Sequence, residues 1–269
     1  MIKAAVLGSP ISHSLSPLLH TVAYKYLGVQ GIYTPIEVKD GELKGFLESC
    51  DDSWTGFSLT MPLKEEVLEL ASQVSDLAKR IRSANTLYKV DNEWAAQTTD
   101  VPGFTQALHA HGKDASGHVV IVGAGATARA VAAACDGVSS HITVMARSTT
   151  KLEMMSNCVE RSTLDFVSWG DCNYFESADV IVSTTPAGAT DSLVDFFPAN
   201  PTGLFFDVLY KPWPTKALAT WVKSGAESID GLELLIHQGI DQVGLFTGLI
   251  FDRKEMSALM RKEALKALK

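Results

Sequence analysis

Residues 118–130 read HVVIVGAGATARA, and this stretch decides the fold of the chain. Residues 119–122 are all β-branched, which favours a strand buried on both faces, as a parallel sheet requires. The alanine-rich segment at 126–135 contains no glycine or proline, and we expect a helix there. A strand, a glycine turn and a helix in this order are the context in which a G-x-G-x-x-G/A pattern indicates a dinucleotide site.

The pattern is formed by Gly123, Gly125 and Ala128. The first glycine permits a tight turn, the second lets a pyrophosphate approach the backbone, and the small third residue brings the helix close to the strand. The free amides and the positive end of the helix would face the phosphates. The same residues could also form a purely structural turn of an α/β protein. The predicted phosphate loop consists of Gly123, Ala124, Gly125, Ala126 and Thr127.

The identity of the dinucleotide depends on the end of the next predicted strand, at 141–145. A site for NAD usually has an acidic residue there, about 20 residues after the glycines, which holds the ribose 2′-hydroxyl. This chain has Ala146, followed by Arg147, Ser148 and Lys151. A guanidinium, an ammonium and hydroxyl groups suit a dianionic 2′-phosphate. We therefore predict an NADP site, the alternative being a solvated basic loop.

Composition limits the classes of function. The 269 residues are 46% hydrophobic and 20% charged, which is typical of a globular protein with one large or two modest domains. The formal charge of −8 argues against nucleic acid and anionic membranes as partners. The cysteines form no C-x-x-C pattern, and neither a signal peptide nor a membrane span is recognisable. We therefore expect reduced thiols, no metal site and a cytoplasmic location.

The first half of the chain carries further candidate residues. After a predicted strand at 3–7, Ser16 and Pro17 indicate the N-cap and first turn of a helix at 18–27. This leaves Ser14 as an additional hydroxyl, suited to a carboxylate or a polyol. His13 beside it is compatible with a purely structural role. Lys64 lies between a predicted strand at 56–60 and a predicted helix at 65–71, where ligands bind in open α/β sheets, although a surface lysine would also fit.

Asn85 and Asp100 lie at the ends of predicted strands, where turn residues are also common. The sequence VPG at 101–103 interrupts the chain and predicts a domain boundary, with a helix at 104–111 beyond it. From there to residue 231, strands alternate with helices, which predicts a doubly wound parallel sheet. Helices predicted at 232–245 and 254–269 are expected to pack back on the first half.

Several further motifs follow one another in a fixed order, and together they resemble the shikimate dehydrogenase family over essentially the whole chain. The family patterns G-x-P-I and S-x-S-P occur at 8–11 and 14–17, and N-V-T-x-P-x-K corresponds to SLTMPLK at 58–64. The patterns A-N-T-L, N-T-D-x-x-G, D-x-x-Y-x-P and D-G-x-x-x-L-x-x-Q correspond to 84–87, 98–103, 207–212 and 230–238. Each motif is weak alone, but their order and spacing are specific.

The resemblance implies reversible, NADPH-dependent reduction of 3-dehydroshikimate to shikimate, a step of aromatic amino-acid (chorismate) biosynthesis. It implies that Lys64 and Asp100 form the catalytic pair. The implied substrate residues are Ser14, Ser16, Thr60, Asn85, Thr99, Asp100, Tyr210 and Gln238. The implied cofactor residues are the phosphate loop at 123–127, then Arg147, Ser148 and Lys151, with the Val208 backbone and Gly231 beside the nicotinamide.

The resemblance also implies two domains. An α/β substrate-binding domain at 1–101 would be completed by C-terminal helices at 238–269, and a Rossmann-type NADP domain would occupy 102–237.

The implied chemistry is sound, because reduction of a ketone builds negative charge on oxygen. An ammonium group at Lys64 can stabilise and protonate this oxygen, while Asp100 orients the ammonium group. Partners would be small molecules only, and the protein would be a monomer or a homodimer.

Some positions depart from the family pattern. Ser58 and Thr98 stand where the family has asparagine, so a hydrogen bond would be lost or replaced at each. Ala146 replaces the asparagine of the N-R-T pattern after the second Rossmann strand. Arg147 and Lys151 retain the cations that favour NADP.

Three alternatives remain open. The first is a quinate/shikimate dehydrogenase that prefers NAD, which the missing acid after the second strand argues against. The second is a non-catalytic NADP-binding regulator, which would be expected to lose Lys64 or Asp100. The third is a folate-linked dehydrogenase of similar layout, which the serine loop at 14–17 and the Gln238 pattern argue against.

Overall fold

The computed structural model describes residues 1–268, apart from the side chain of Thr149. The chain forms two units, of which the first comprises Met1–Gly103 together with Leu235–Lys269 and the second comprises Phe104–Leu234. Each unit is built around its own six-stranded sheet. The α/β architecture expected from the sequence is therefore confirmed.

Strands and helices alternate along most of the chain. The strands are β1 (Ile2–Gly8), β2 (Gly31–Glu37), β3 (Gly56–Leu59), β4 (Gln73–Val74), β5 (Thr86–Val90), β6 (Glu93–Gln97), β7 (His118–Val122), β8 (His141–Ala146), β9 (Thr163–Ser168), β10 (Val180–Ser183), β11 (Leu204–Asp207) and β12 (Ser228–Ile229). The helices are α1 (Ser16–Tyr26), α2 (Leu43–Glu48), α3 (Leu63–Glu66), α4 (Asp76–Ile81), α5 (Asp100–Ala110), α6 (Ala126–Cys135), α7 (Leu152–Ser156), α8 (Lys216–Lys223), α9 (Gly231–Thr247) and α10 (Arg253–Ala267). Within residues 1–268, none of these helices has both the length and the apolar character needed to cross a membrane.

The sheet of the first unit has the strand order β2-β1-β3-β5-β6-β4. β1 pairs in parallel with β2 and β3, whereas β5 pairs antiparallel with β3 and β6. In the register of these pairs Ser58 lies opposite Thr86, and Thr86 lies opposite Gln97. Because β5 runs against its neighbours, the residues after β3, before β5 and after β6 meet at one edge of the sheet. This edge is where the candidate residues between 60 and 100 are placed.

The core of the first unit is formed by the apolar faces of β1, β3 and β5 and by the helices around them. Leu7, Phe57, Leu63 and Leu87 belong to one buried cluster. The C-terminal helix α10 packs on α1, and the Tyr26 hydroxyl donates a hydrogen bond of 2.6 Å to Glu255 Oε2. The expected return of the C-terminal helices to the first half is therefore confirmed.

The sheet of the second unit has the order β12-β11-β10-β7-β8-β9, with every pair parallel. The chain winds outward from β7 in one direction and then outward from β10 in the other, so the order reverses between these strands, where ligands bind in such sheets. Val119 to Val122 are all fully buried in β7, as their β-branched run predicts. Gly123 follows with a φ of +116°, a backbone conformation that favours glycine.

Two local expectations are wrong. The predicted break in secondary structure at 101–103 is absent, because α5 begins at Asp100 and continues through Pro102 and Gly103, although the first unit does end at Gly103. A proline fits the first helical turn, whose N–H groups have no partner within the helix. The predicted N-cap at Ser16 is also wrong, since Ser16 is the first residue of α1 and Leu15 precedes it as the cap. The Ser14 hydroxyl instead accepts a hydrogen bond of 3.2 Å from the Ser16 amide.

A buried histidine fixes α1 against the sheet. His20 is 1% exposed, and its ring stacks on Tyr33 of β2 with centroids 3.8 Å apart and an interplanar angle of 13°. Its desolvation lowers the pKa of His20 from 6.5 to about 3. The folded protein therefore keeps His20 neutral at a pH where an unfolded chain would protonate it.

We expect this histidine to make the protein less stable in mild acid. The stability linked to its lowered pKa is fully present above pH 6.5 and is lost as the pH falls towards about 3. Between about pH 7.5 and about pH 5, the wild-type free energy of unfolding should fall by about 2 kcal/mol more than that of His20→Phe, which keeps an aromatic ring but does not titrate. Urea unfolding of both proteins at the two pH values measures this difference. Equal losses in both proteins would contradict a neutral His20.

Candidate active site

Lys64 is held at the edge of the first sheet by its own backbone. It lies inside α3, whereas the sequence placed it just before a helix. The Leu63 amide donates to the Thr60 carbonyl at 2.8 Å, which closes the turn between β3 and α3. The Ala84 amide donates to the Lys64 carbonyl at 2.9 Å. The lysine backbone is thus attached to the segments that follow β3 and precede β5.

The side chain of Lys64 reaches the carboxylate of Asp100. Nζ donates to Oδ2 at 2.6 Å, and the two side chains are 14% and 7% exposed. A charge-assisted hydrogen bond of this length is among the stronger polar interactions of a protein, particularly where little water competes. Asp100 is also the first residue of α5, where the free amides of the helix favour a negative charge. The carboxylate is therefore stabilised both by Lys64 and by the helix that carries it.

Asn85, just before β5, is the centre of the hydrogen-bond network around this pair. Its Nδ2 donates to Thr99 Oγ1 at 2.8 Å, to Asp100 Oδ1 at 2.9 Å and to Gln238 Oε1 at 3.0 Å. Its Oδ1 accepts from the Thr99 amide at 2.6 Å. Because an amide N–H can only donate, this bond fixes which end of the Asn85 carboxamide is oxygen. Asn85 therefore holds one oxygen of Asp100 while Lys64 holds the other.

Gln238 enters the same network from α9. Its Nε2 donates to the Leu235 carbonyl at 2.8 Å, which leaves Oε1 to face Asn85. A Cβ at Gly103 would lie 2.9 Å from both the backbone nitrogen and the Cβ of Gln238. The absence of a side chain at Gly103 therefore lets the first turn of α5 contact α9 at Gln238.

The loop after β1 begins beside Thr60. The Ser9 amide donates to the Met61 carbonyl at 3.0 Å, which attaches the loop after β1 to the loop after β3. Thr60 Cγ2 lies so close to Gly8 that a Cβ there would be 2.4 Å away. Ser14 and Ser16 lie at the start of α1 and are linked by their own hydrogen bond. The structure thus gathers Lys64, Asn85, Thr99, Asp100 and Gln238 into one network and joins the start of the loop after β1, at Ser9, to the turn that precedes Lys64.

Sequence reasoning missed a further set of polar residues behind the network. Gln242 Nε2 donates to the Asn85 carbonyl and to Thr86 Oγ1, both at 3.0 Å. Its Oε1 accepts from the Ser58 hydroxyl at 2.6 Å, and Ser58 accepts from the Tyr33 hydroxyl at 2.6 Å. One signal for Gln242 was available, because it follows Gln238 by one helical turn and shares its face. The departure of Ser58 from the family asparagine marked that position, but nothing local indicated its partners.

The phosphate loop of the second unit has an open backbone. A Cβ at Gly125 would meet no atom within 4 Å, whereas one at Gly123 would lie 2.5 Å from Thr184 Oγ1. Gly125 is the N-cap of α6 and supplies no side-chain hydrogen bond to the helix. Free amides at an open helix N-terminus are suited to a phosphate. These features fit the predicted pyrophosphate site at residues 123–127.

The loop after β8 carries the predicted 2′-phosphate residues. Arg147, Ser148 and Lys151 are exposed there, and Ser148 Oγ lies 2.9 Å from Thr150 Oγ1. The Arg147 guanidinium lies over the Trp169 ring, 5.7 Å from its centroid. Two cations and hydroxyl groups, with no acidic residue at the end of β8, form a donor set that fits NADP.

The segment after β11 carries the remaining candidates. A Cβ at Gly231 would lie 2.4 Å from the Val208 carbonyl oxygen, so the start of α9 and this segment touch through their backbones. The Asp207 carboxylate contacts this segment near its start and near its end. It accepts a hydrogen bond from the Leu209 amide at 3.1 Å and one from the Thr215 hydroxyl at 2.5 Å. Burial raises the pKa of Asp207 above its usual value. Tyr210 lies within this segment of the second unit.

The chain is similar to shikimate dehydrogenases in sequence and structure. Residues 6–87 match the family model of the shikimate dehydrogenase substrate binding domain. Shikimate dehydrogenases (NADP(+)) of Prochlorococcus marinus strain MIT 9301 and Thermosynechococcus vestitus are 32% and 34% identical, over 90% and 87% of this chain and 91% and 86% of their own lengths. 

Solved structures agree with these relatives. The Mycobacterium tuberculosis shikimate dehydrogenase superposes with a TM-score of 0.88 at 34% identity, covering 97% of this chain and all of the other. The Thermus thermophilus enzyme in complex with NADP(H) and shikimate gives 0.86 at 31% identity, covering 98% of this chain. With relatives above 30% identity along most of its length, this chain belongs to the shikimate dehydrogenase family.

Proposed function

We propose that this chain reduces 3-dehydroshikimate to shikimate with NADPH and catalyses the reverse oxidation with NADP⁺. The observation that carries the proposal is the 2.6 Å hydrogen bond between Lys64 and Asp100, oriented by Asn85. The same activity is named for the relatives above, one of which has been solved with both shikimate and NADP(H). The product would serve aromatic amino-acid biosynthesis.

Lys64 is the proposed acid and base. Reduction of the ketone places negative charge on its oxygen, and the Lys64 ammonium can donate a hydrogen bond to that oxygen and then the proton. In the reverse direction, the Lys64 amine accepts the proton of the substrate hydroxyl. Asp100 keeps Nζ in place through the bond at Oδ2. NADPH, when bound, supplies the hydride that reduces the carbonyl carbon.

The proposed substrate contacts follow from spare hydrogen-bonding capacity. Asn85 Nδ2 has two hydrogens but faces three acceptors within 3.0 Å, so one of these acceptors keeps a lone pair that can accept from a substrate hydroxyl. Ser14 and Ser16 at the start of α1 suit the substrate carboxylate. The remaining proposed substrate residues are Thr60, Thr99, Asp100, Tyr210 and Gln238.

The proposed cofactor contacts all lie in the second unit. The amides of residues 123–127 would hold the pyrophosphate, since Gly125 leaves the approach open. Arg147, Ser148 and Lys151 would hold the 2′-phosphate. The Val208 backbone and Gly231 would lie beside the nicotinamide. We place the enzyme in the cytoplasm, because its cysteines are free thiols.

Lys64→Ala should lower kcat for shikimate oxidation by about a hundred- to ten-thousand-fold, the usual range for a lost acid–base group. Absorbance of reduced nicotinamide measures the rate, with shikimate and quinate each paired with NADP⁺ and NAD⁺. Lys79→Ala is the matched control, because Lys79 is an exposed lysine whose side chain is 62% exposed. The wild type and the control should use shikimate with NADP⁺ best. Preference for quinate or NAD⁺ would contradict the proposed specificity, and an active Lys64→Ala would contradict the proposed role.

Arg147→Gln should weaken binding of adenosine 2′,5′-bisphosphate by about ten- to hundredfold, because a hydrogen bond to a charged group is lost. Binding of 5′-AMP, which lacks the 2′-phosphate, should stay within a factor of about two. Titration calorimetry measures both ligands, with Arg161→Gln as a control for losing an exposed arginine elsewhere in the same unit. Equal weakening of the binding of both ligands would show that Arg147 does not bind the 2′-phosphate.

A further inference from the structure

The polar residues behind the catalytic network form one continuous chain of hydrogen bonds. We call Tyr33, Ser58, Gln242 and Thr86 the buried relay. Their exposed fractions are 6%, 5%, 1% and 0%. The chain runs from the Tyr33 hydroxyl to Ser58, from Ser58 to Gln242, and from Gln242 to Thr86 and the Asn85 carbonyl. It ends on Asn85, because the Thr86 hydroxyl donates to Asn85 Oδ1 at 3.1 Å.

The direction of the bonds from Gln242 back to Tyr33 is fixed by one carbonyl group. The Asn85 carbonyl oxygen can only accept, so Gln242 must turn Nε2 towards it. Gln242 Oε1 then faces Ser58, whose single hydroxyl hydrogen must be donated there. Ser58 is left with lone pairs only, so Tyr33 must donate to it. A carboxamide turned the other way would place two acceptors against each other.

Tyr33 is in turn fixed from its other side. The His20 ring stacks on the Tyr33 ring with centroids 3.8 Å apart, and the pair is buried. Burial raises the pKa of Tyr33 well above its usual value, so its hydroxyl keeps the hydrogen that the relay needs. The relay therefore has a rigid beginning at the contact of α1 with β2 and a defined end at Asn85.

We propose that Tyr33, Ser58 and Gln242 are positioning residues for the reaction, which hold Asn85 and, through it, the carboxylate that orients Lys64. The inference rests on the proposed function for its effect on catalysis. Asn85 connects the two networks, because its Oδ1 accepts a hydrogen bond from the Thr86 hydroxyl while its Nδ2 donates to Asp100 Oδ1 at 2.9 Å. Ser58 can play this part in place of the family asparagine, since its hydroxyl donates one hydrogen to Gln242 and accepts one from Tyr33. The relay thus supplies hydrogen bonds at position 58, where serine stands in place of the family asparagine.

Tyr33→Phe tests the relay with the loss of a single oxygen. We expect kcat/KM for shikimate to fall by about three- to tenfold, the effect of one hydrogen bond, with KM for NADP⁺ unchanged. Tyr24→Phe is the matched control, since Tyr24 is also buried and its hydroxyl lies 3.5 Å from His20 Nδ1, outside the relay. The control should lose stability without losing activity. In a Ser58→Ala background, Tyr33→Phe should have no further effect, because the relay is already broken.

A second readout does not depend on the substrate. The Thr99 amide donates to Asn85 Oδ1, so its hydrogen exchange reports how firmly Asn85 is held. Exchange of this amide, followed by NMR, should be faster in Tyr33→Phe and Ser58→Ala than in Tyr24→Phe. Unchanged exchange in Tyr33→Phe would overturn the relay. Faster exchange with unchanged kcat/KM would overturn its proposed role in catalysis, and so would a loss of activity in Tyr33→Phe equal to that in Tyr24→Phe. A wild type that does not oxidise shikimate would refute the proposed function, and the exchange rates would still decide whether the relay holds Asn85.

Discussion

Lys64 and Asp100 form a partly buried ion pair, with side chains that are 14% and 7% exposed. The surrounding structure is arranged to keep them together. The lysine backbone is attached to the segments beside β3 and β5, and the aspartate begins a helix whose amides favour its charge. The antiparallel insertion of β5 is what brings these segments to one edge of the sheet.

The electrostatics of the two units differ in kind. In the first unit, opposite charges are paired and partly buried, so their geometry is fixed by short hydrogen bonds. In the second unit, the cations after β8 are exposed, and the Arg147 guanidinium rests against an indole ring instead of a carboxylate. A contact of this kind holds a cation without neutralising it. The first arrangement suits proton transfer at a defined atom, and the second suits recognition of a dianion that arrives from solvent.

The sequence predicted those features that depend on local pattern. The β-branched run from Val119 to Val122 defines a buried strand whatever its neighbours are, and the glycines after it define the turn. The candidate residues around Lys64 were found through ordered motifs, since no local pattern distinguishes a catalytic lysine from a surface one. The start of α5 was missed because Pro102 and Gly103 resemble an interruption, although a first helical turn does not use the amide that proline lacks. The cap of α1 was misassigned by the same local reasoning.

The buried relay lay beyond any such pattern. Ser58 is separated along the chain from Tyr33 by 25 residues and from Gln242 by 184, so their meeting depends on the complete sheet and on the return of α9. Its existence also needs a physical reason, because apolar side chains of similar shape would fill the same space at little or no cost in stability. Apolar side chains could not, however, impose a donor-to-acceptor direction on neighbouring hydrogen bonds. A chain of hydrogen bonds anchored on one carbonyl has a single allowed arrangement of donors, and it adds the Thr86 hydroxyl to the Thr99 amide as a second donor that holds Asn85 Oδ1. An oriented carboxamide, in turn, is what gives the Asp100 carboxylate one position from which to hold Lys64.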